Sequence, residues 1–264
     1  MQIQSTYYKP KKKKKNWKPF LRMVGGLIII FGLVYFVFFL PLWKIKKIEA
    51  SGTEKVSPEE LVNASEQYLN GFYPGRIPKN NYFLLSEEKL AEYLKNTFPG
   101  LKEILVTKKF PTDLVIKAKE RQKTIVYCGQ EKCFYLDEDG IAFEPAPEIY
   151  GGLNVVLKDN SGREAQIGNK MIGSDLISFA LEARKVILSD LNMSLVNFEI
   201  INYPTADVNA VMPEGWKILL DSKLSSKEQI NALKKVLDDK IKDQRSRLEY
   251  IDARIGNRVY YKFR

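Results

Sequence analysis

The longest apolar segment of the chain is residues 23–43, which read MVGGLIIIFGLVYFVFFLPLW and carry no charge. A helix of about twenty residues crosses a hydrocarbon core of about 30 Å. A buried core helix would normally keep one polar face, and this segment has none. The pattern therefore predicts a single N-terminal transmembrane helix at 23–43.

Residues 44–121 alternate between strand-like and helix-like patterns, and we expect a small α+β domain there. In LVIKAKE apolar and polar residues alternate, which is typical of a strand with one wet face. The predicted elements are a strand at Trp43–Ala50, helices that begin at the capping residues Ser57 and Ser86, and strands at Leu101–Lys108 and Leu114–Lys119. The order βααββ predicts a three-stranded sheet with both helices on one face.

Residues 122–264 predict a second, mostly antiparallel β domain with helices. A hairpin is expected where Cys128 and Cys133 flank a short turn. The other predicted strands are Ile141–Phe143, Val155–Leu157, Val196–Ile201, Asp207–Val211, Trp216–Leu220, Leu248–Ala253 and Val259–Phe263. Amphipathic helices are predicted after the caps Ser174 and Ser225, the second continuing to Ile241. The whole chain is therefore predicted to be α+β.

Charge predicts the orientation of the span. Residues 1–22 contain eight Lys and Arg residues and no acidic residue, including the run Lys11–Lys15. The positive-inside rule then keeps this tail, which we expect to be disordered, in the cytoplasm and exports residues 44–264. The apolar run is too long for a typical signal peptide and lacks a small-residue cleavage site, so we predict an uncleaved, type II anchor.

Composition argues against several classes of function. The chain has a net charge of +10, but most of it lies in the tail, so the exported part is nearly balanced and is not predicted to bind nucleic acid. There is no His, which removes the usual general base and the commonest metal ligand. The Ser86–Lys89 pair matches the S-x-x-K spacing of penicillin-interacting enzymes, but its partner motifs are missing. We expect no cofactor, no metal and no small-molecule substrate.

The two cysteines of the chain, Cys128 and Cys133, are five residues apart and face each other in the predicted hairpin. In an oxidising compartment they could form a disulfide. A pair of reduced, half-buried thiols is the alternative, and the sequence does not decide between the two.

This layout resembles the FtsQ/DivIB family of bacterial cell-division proteins. IKKIEASGTEKVSPEEL, NYFLLSEEKLAEYL and FPGLKEILVTKKFPTDLVIKAKER resemble parts of a POTRA domain, predicted at 44–121. CFYLDEDGIAF, WKILLDSKLSSKEQINALKKVL and EYIDARIGNRVYYK resemble the family's β domain, predicted at 122–264.

The resemblance implies a scaffold and not an enzyme. It implies FtsB/DivIC-like and FtsL-like bitopic partners, a position in the bacterial plasma (inner) membrane at the division septum, and capture of a partner strand at the C-terminal edge. The alternatives are a POTRA-containing envelope assembly or export factor, or a membrane-anchored cell-wall enzyme.

The predicted docking edge is Glu249–Ala253 or Val259–Phe263, because unpaired strand edges are templates for an incoming strand. Tyr and Arg side chains commonly anchor interfaces. The opposite interpretation is that these side chains pack the sheet and the edge is internally paired. The candidate partner-binding residues are Arg184, Tyr250, Asp252, Arg254, Gly256, Arg258, Val259, Tyr260 and Tyr261.

Overall fold

The computed structural model describes residue 2 and residues 17–39, 41–74, 77–130, 132–147, 154–256 and 258–264. The run Lys11–Lys15, on which the predicted tail depends, lies outside the described residues, as does Asn257 of the last predicted turn.

In the part of the chain that the structure describes, one helix, near the N-terminus, is long and apolar enough to cross a membrane. This helix, α1, spans Lys18–Phe39, and its segment Lys18–Phe36 has a mean hydropathy of 1.9. The helix begins five residues before the predicted span, and Pro19 lies in its first turn, where Pro is compatible with helix geometry. Pro41–Trp43 form a 3₁₀ turn and not the end of the helix.

The first domain has the predicted βααββ order. Its main elements are β1 (Lys47–Ser51), α2 (Pro58–Leu69), α3 (Glu87–Thr97), β4 (Leu101–Lys109) and β5 (Asp113–Glu120), and a small ribbon of β2 (Phe72–Tyr73) and β3 (Ile77–Pro78) lies between the helices. The sheet order is β1-β5-β4, with β1 parallel and β4 antiparallel to β5. The predicted strand Trp43–Ala50 is longer than the observed one: Lys44 forms an isolated bridge to Asn81, and the regular ladder with β5 begins at Lys47.

Local sequence signals explain both helices of this domain. The Ser57 hydroxyl accepts a hydrogen bond from the Glu60 backbone N–H, and the Glu60 carboxylate accepts one from the Ser57 N–H, which completes the predicted capping box. The Ser86 hydroxyl caps α3 in the same way, accepting from the Lys89 N–H. Helix capping therefore accounts for Ser86 without a catalytic role.

Within the described residues, the second domain is built on one nine-stranded sheet. Its strands are β6 (Ile125–Cys128), β7 (Cys133–Leu136), β8 (Ala142–Ala146), β9 (Val156–Asp159), β10 (Asn197–Ile200), β11 (Asp207–Val211), β12 (Lys217–Asp221), β13 (Leu248–Ile255) and β14 (Arg258–Phe263). The order is β14-β13-β12-β11-β10-β9-β6-β7-β8. Pairing between neighbouring described strands is antiparallel in five cases and parallel in the others, so a mixed, mostly antiparallel sheet is confirmed.

Two helices, α4 (Ser174–Asp190) and α5 (Ser226–Val236), pack against each other and share one hydrophobic core with the sheet. The predicted cap at Ser174 is wrong: Gly173 precedes the helix, and no side chain caps it. The second helix does not remain α-helical to Ile241, because it widens into a π-helical turn at Leu237–Ile241 and then a 3₁₀ segment at Lys242–Arg247. Leu237 and Ile241 are nevertheless buried in the core, as the apolar pattern predicts.

A buried ion pair joins the two domains. Arg121 follows β5, and its guanidinium donates to the Asp137 carboxylate after β7 and to the carbonyl oxygen of Pro99 (3.0 Å). Both side chains are at least nine-tenths buried. Lys102 of β4 adds more exposed ion pairs to Glu138 (2.5 Å) and Asp139 (2.9 Å). The turn after β7 is thereby tied to the first domain.

Candidate partner-binding edge

The C-terminal hairpin forms one end of the nine-stranded sheet. Among the described strands, β14 pairs with β13 alone, whereas β13 pairs with β14 on one side and β12 on the other. Of the two predicted edges, Val259–Phe263 therefore lies on the edge strand, whereas Glu249–Ala253 lies on a strand that is paired on both sides.

The two ends of the sheet differ chemically. The opposite edge strand, β8, contains Pro145, which has no backbone N–H to offer an incoming strand. β14 reads RVYYKF and contains no Pro. The C-terminal end is therefore the better template for strand addition.

Packing holds the hairpin in place without covering its tip. Ile251 and Ala253 of β13 are buried, and Val259 and Phe263 of β14 pack partly against the same core. The register shifts between Asp252 and Ile255, which marks an irregularity next to the turn.

The described exposed side chains at the tip of the hairpin and along β14 are aromatic, apolar and basic. Tyr260 is 49% exposed, and Tyr261, Ile255 and Arg258 are exposed as well. The Tyr261 ring packs edge-on against Phe263, with 5.5 Å between ring centroids. Gly256, in the turn, has a φ of +52°, a conformation that favours Gly.

The predicted residues Asp252 and Arg254 are bound to each other. Arg254 donates from Nε to one Asp252 oxygen (2.9 Å) and from Nη2 to the other (2.6 Å). The guanidinium also pairs with Asp207 at the start of β11 (3.1 Å), and it holds the pKa of Asp252 below its ordinary value. These groups fasten β13 to the sheet, so Arg254 is less available to a partner than the sequence suggests.

The two remaining predicted residues lie away from the open side of β14. Tyr250 is half-buried on β13, in register with Lys217 of β12 and Lys262 of β14. Arg184 is half-buried on α4, which packs against α5, while α5 packs against β12, β13 and β14. The structure therefore brings the hairpin residues together and leaves Arg184 in the helical layer.

Cys128 and Cys133 are register partners across the β6–β7 hairpin and form a disulfide in the structure. Both are largely buried. This arrangement corresponds to the first of the two states that the sequence allows.

A buried polar cluster around Asp159 was not predicted. Its carboxylate accepts hydrogen bonds from the Tyr127 hydroxyl, the Ser161 backbone N–H (2.8 Å) and the Arg163 Nε (2.9 Å). Arg163 also stacks on the Tyr203 ring at 3.9 Å and donates to the Met171 carbonyl oxygen (2.9 Å). In the sequence, the only signal for this cluster is the D-x-S-x-R spacing of Asp159, Ser161 and Arg163. Because the polar groups of the cluster hydrogen-bond to one another, we interpret the cluster as structural.

Comparison with known proteins identifies the first domain. A family model described as "POTRA domain, FtsQ-type" matches residues 43–121. This region contains β1 to β5 and their two helices, so the predicted POTRA domain is confirmed.

Curated relatives extend the similarity beyond that region. The chain is 27% identical over 191 residues to "Cell division protein DivIB" of Clostridium botulinum, which covers 72% of this chain and 68% of the relative. It is 23% identical over 206 residues to the protein of the same name from Clostridium acetobutylicum, covering 72% of this chain and 78% of the relative.

Proposed function

Because the chain belongs to the FtsQ/DivIB family of cell-division proteins, we propose that it is a membrane-anchored scaffold of the bacterial division machinery. In this proposal the edge strand β14 captures an extended segment of an FtsB/DivIC-like partner, with an FtsL-like protein in the same complex. The observation that carries the proposal is the open, Pro-free edge at β14, flanked by exposed Tyr and Arg side chains.

Strand addition has a direct physical basis at this edge. Neighbouring residues of an antiparallel strand direct their backbone N–H and C=O groups to opposite sides, so about half of those of β14 face away from β13. An incoming strand would satisfy them, while Tyr260, Tyr261 and Arg258 would contact its side chains. The scaffold needs no catalytic group for this role.

The anchor completes the proposal. α1 would hold the chain in the plasma membrane, with the basic N-terminal tail in the cytoplasm and both domains outside, at the division septum. The similarity to DivIB proteins favours this role over envelope assembly or export, and over a cell-wall enzyme.

The test uses adjacent residues with opposite backbone directions. Tyr260 and Tyr261 are in register with Asp252 and Ile251, so one donates its N–H towards β13 and the other towards the open edge. Tyr260→Pro and Tyr261→Pro each remove one donor. We would measure, with the full chain in nanodiscs, the affinity for the extracytoplasmic segments of co-encoded FtsB/DivIC-like and FtsL-like proteins.

The control variants Tyr260→Ala and Tyr261→Ala remove the rings and keep the N–H groups. One of the two Pro variants should melt at the same temperature as its Ala counterpart, because its lost N–H faced the open edge. We expect this variant to bind the partner segment at least about tenfold more weakly than its Ala counterpart does, because one hydrogen bond and the local strand geometry are lost. If this well-folded Pro variant binds as tightly as its Ala counterpart, β14 is not the docking strand.

A further inference from the structure

A chain of aromatic contacts connects α1 to the near end of the POTRA domain. Phe36 of α1 packs edge-on against Trp43, with 6.2 Å between ring centroids, and Trp43 packs against Phe83 at 4.9 Å. Tyr82 then contacts both Phe83 (5.4 Å) and Phe110 (5.9 Å). These rings come from three separate segments of the sequence.

Backbone hydrogen bonds fix those segments beside the end of the helix. The Tyr82 N–H donates to the carbonyl oxygen of Trp43 (2.8 Å), and the Ile45 N–H donates to that of Asn80 (2.9 Å). The Lys46 N–H donates to the carbonyl oxygen of Thr112 in the β4–β5 turn (2.9 Å). The loop before α3 and the β4–β5 turn are therefore held next to the point where the chain leaves α1.

The surface formed there, which we call the basal surface, is apolar and basic. It consists of the exposed residues Leu42, Lys44, Lys46, Phe83, Lys109 and Phe110. Phe110 is 67% exposed, although it belongs to a folded domain with a complete core of its own.

Single exposed apolar residues are common on protein surfaces, but this group has two further properties. It is continuous with a helix that can cross a membrane, and exposed Lys residues surround it. Aromatic rings and Lys together are the composition of segments that lie at a membrane interface, where the rings enter the headgroup layer and the ammonium groups meet anionic lipid.

We propose that the basal surface seats the POTRA domain on the bilayer, with Phe83, Phe110 and Leu42 in the headgroup layer and Lys44, Lys46 and Lys109 against anionic lipid headgroups. The inference rests on the membrane anchoring of the proposed function but not on partner capture by β14. A POTRA domain bound in this way would have a fixed orientation relative to the bilayer. The membrane would then also set the position of the second domain, which follows it in the chain.

Spin labels at matched positions test the seating. Phe110→Cys and Leu105→Cys each receive a nitroxide in the full chain, reconstituted in nanodiscs of phosphatidylglycerol and phosphatidylcholine. Leu105 is a close match, since it is 62% exposed and lies on β4, about 17 Å from Phe110 at about 3.4 Å per strand residue. The native cysteines are paired and would not take the label.

We expect the label at 110 to collide severalfold less often with a water-soluble nickel reagent than the label at 105, and more often with oxygen. A third label, at Ile30→Cys in α1, reports on insertion. If the label at 30 is in hydrocarbon and the label at 110 is as accessible to nickel as the label at 105, the basal surface does not contact the bilayer and the proposal is wrong. A protein partner would then be the alternative ligand of this surface.

Outcomes for the two proposals are separable. A label at 110 in the headgroup layer supports the seating even if no partner binds β14, in which case the scaffold mechanism fails alone. A label at 30 in water would overturn membrane anchoring and the seating together, while partner affinity in solution would still report on β14.

Discussion

At the scale of single residues, Asp159 links the fold to pH. Burial alone raises the pKa of its carboxyl, but the hydrogen bonds from Ser161, Tyr127 and Arg163 outweigh this effect and hold the pKa below its ordinary value. A carboxyl with a lower pKa in the folded state stabilises the fold above the unfolded pKa of about 3.9. That stabilisation is lost as the pH falls through the folded pKa.

We therefore expect Asp159→Asn to reduce the dependence of the melting temperature on pH below about pH 4, and to lower the melting temperature at pH 7. The control is Asp243→Asn, at an exposed position. The expectation fails if the two variants and the parent lose stability in parallel on acidification.

Gly140 is required by close backbone packing as well as by its φ of +82°. A Cβ at this position would lie 2.0 Å from the carbonyl oxygen of Ile172. Gly168 has nearly the same φ, +87°, but a Cβ there would meet nothing within 4 Å. The two positions separate the cost of conformation from the cost of collision.

We expect Gly168→Ala to cost about 1 kcal/mol in the free energy of unfolding, the usual penalty for a left-handed conformation in a residue with a Cβ. Gly140→Ala should cost clearly more, because the turn after β7 must move. If chemical denaturation gives the same loss of stability for both variants, the backbone at Ile172 moves away from the new Cβ at no measurable cost.

At the scale of secondary structure, the β6–β7 hairpin carries the disulfide. The bond between Cys128 and Cys133 closes a short loop, for which the chain-entropy model gives about 2 kcal/mol. We expect the Cys128→Ala/Cys133→Ala variant to lose up to that amount and to keep the fold. Intact mass after alkylation of the non-reduced protein checks the bond directly, and two alkylated cysteines would contradict it.

Elements with local signals were predictable from the sequence. The caps at Ser57 and Ser86 and the alternation along β5 depend on residues that are close together in the sequence, and the structure reproduces them. The choice between β13 and β14 as the open edge was not predictable, because it depends on the pairing of β13 with β12, about thirty residues away in the sequence. The same holds for Arg254, whose partner Asp207 belongs to another strand.

At the scale of the whole molecule, the ion pair between Arg121 and Asp137 couples the two domains. If the membrane seats the POTRA domain and β14 receives a partner, the coupling decides whether the docking strand has a fixed position relative to the bilayer. The pair is largely inaccessible to solvent, and the Asp137 carboxylate also accepts hydrogen bonds from the backbone N–H groups of Asp139 (3.1 Å) and Ile141 (2.9 Å). Its environment is therefore built around a charged carboxylate.

We expect Arg121→Met to destabilise the folded chain by about 3–5 kcal/mol, because removing one partner leaves a buried charge uncompensated. Lys102→Met is the matched control: it removes a cation that reaches the same turn from the same domain, but its partners are exposed to solvent, so it should destabilise the chain much less than Arg121→Met. Melting followed by circular dichroism, which reports on the whole chain, measures both. If the two variants melt alike, the domains are held together mainly by other contacts, and the position of β14 does not depend on Arg121.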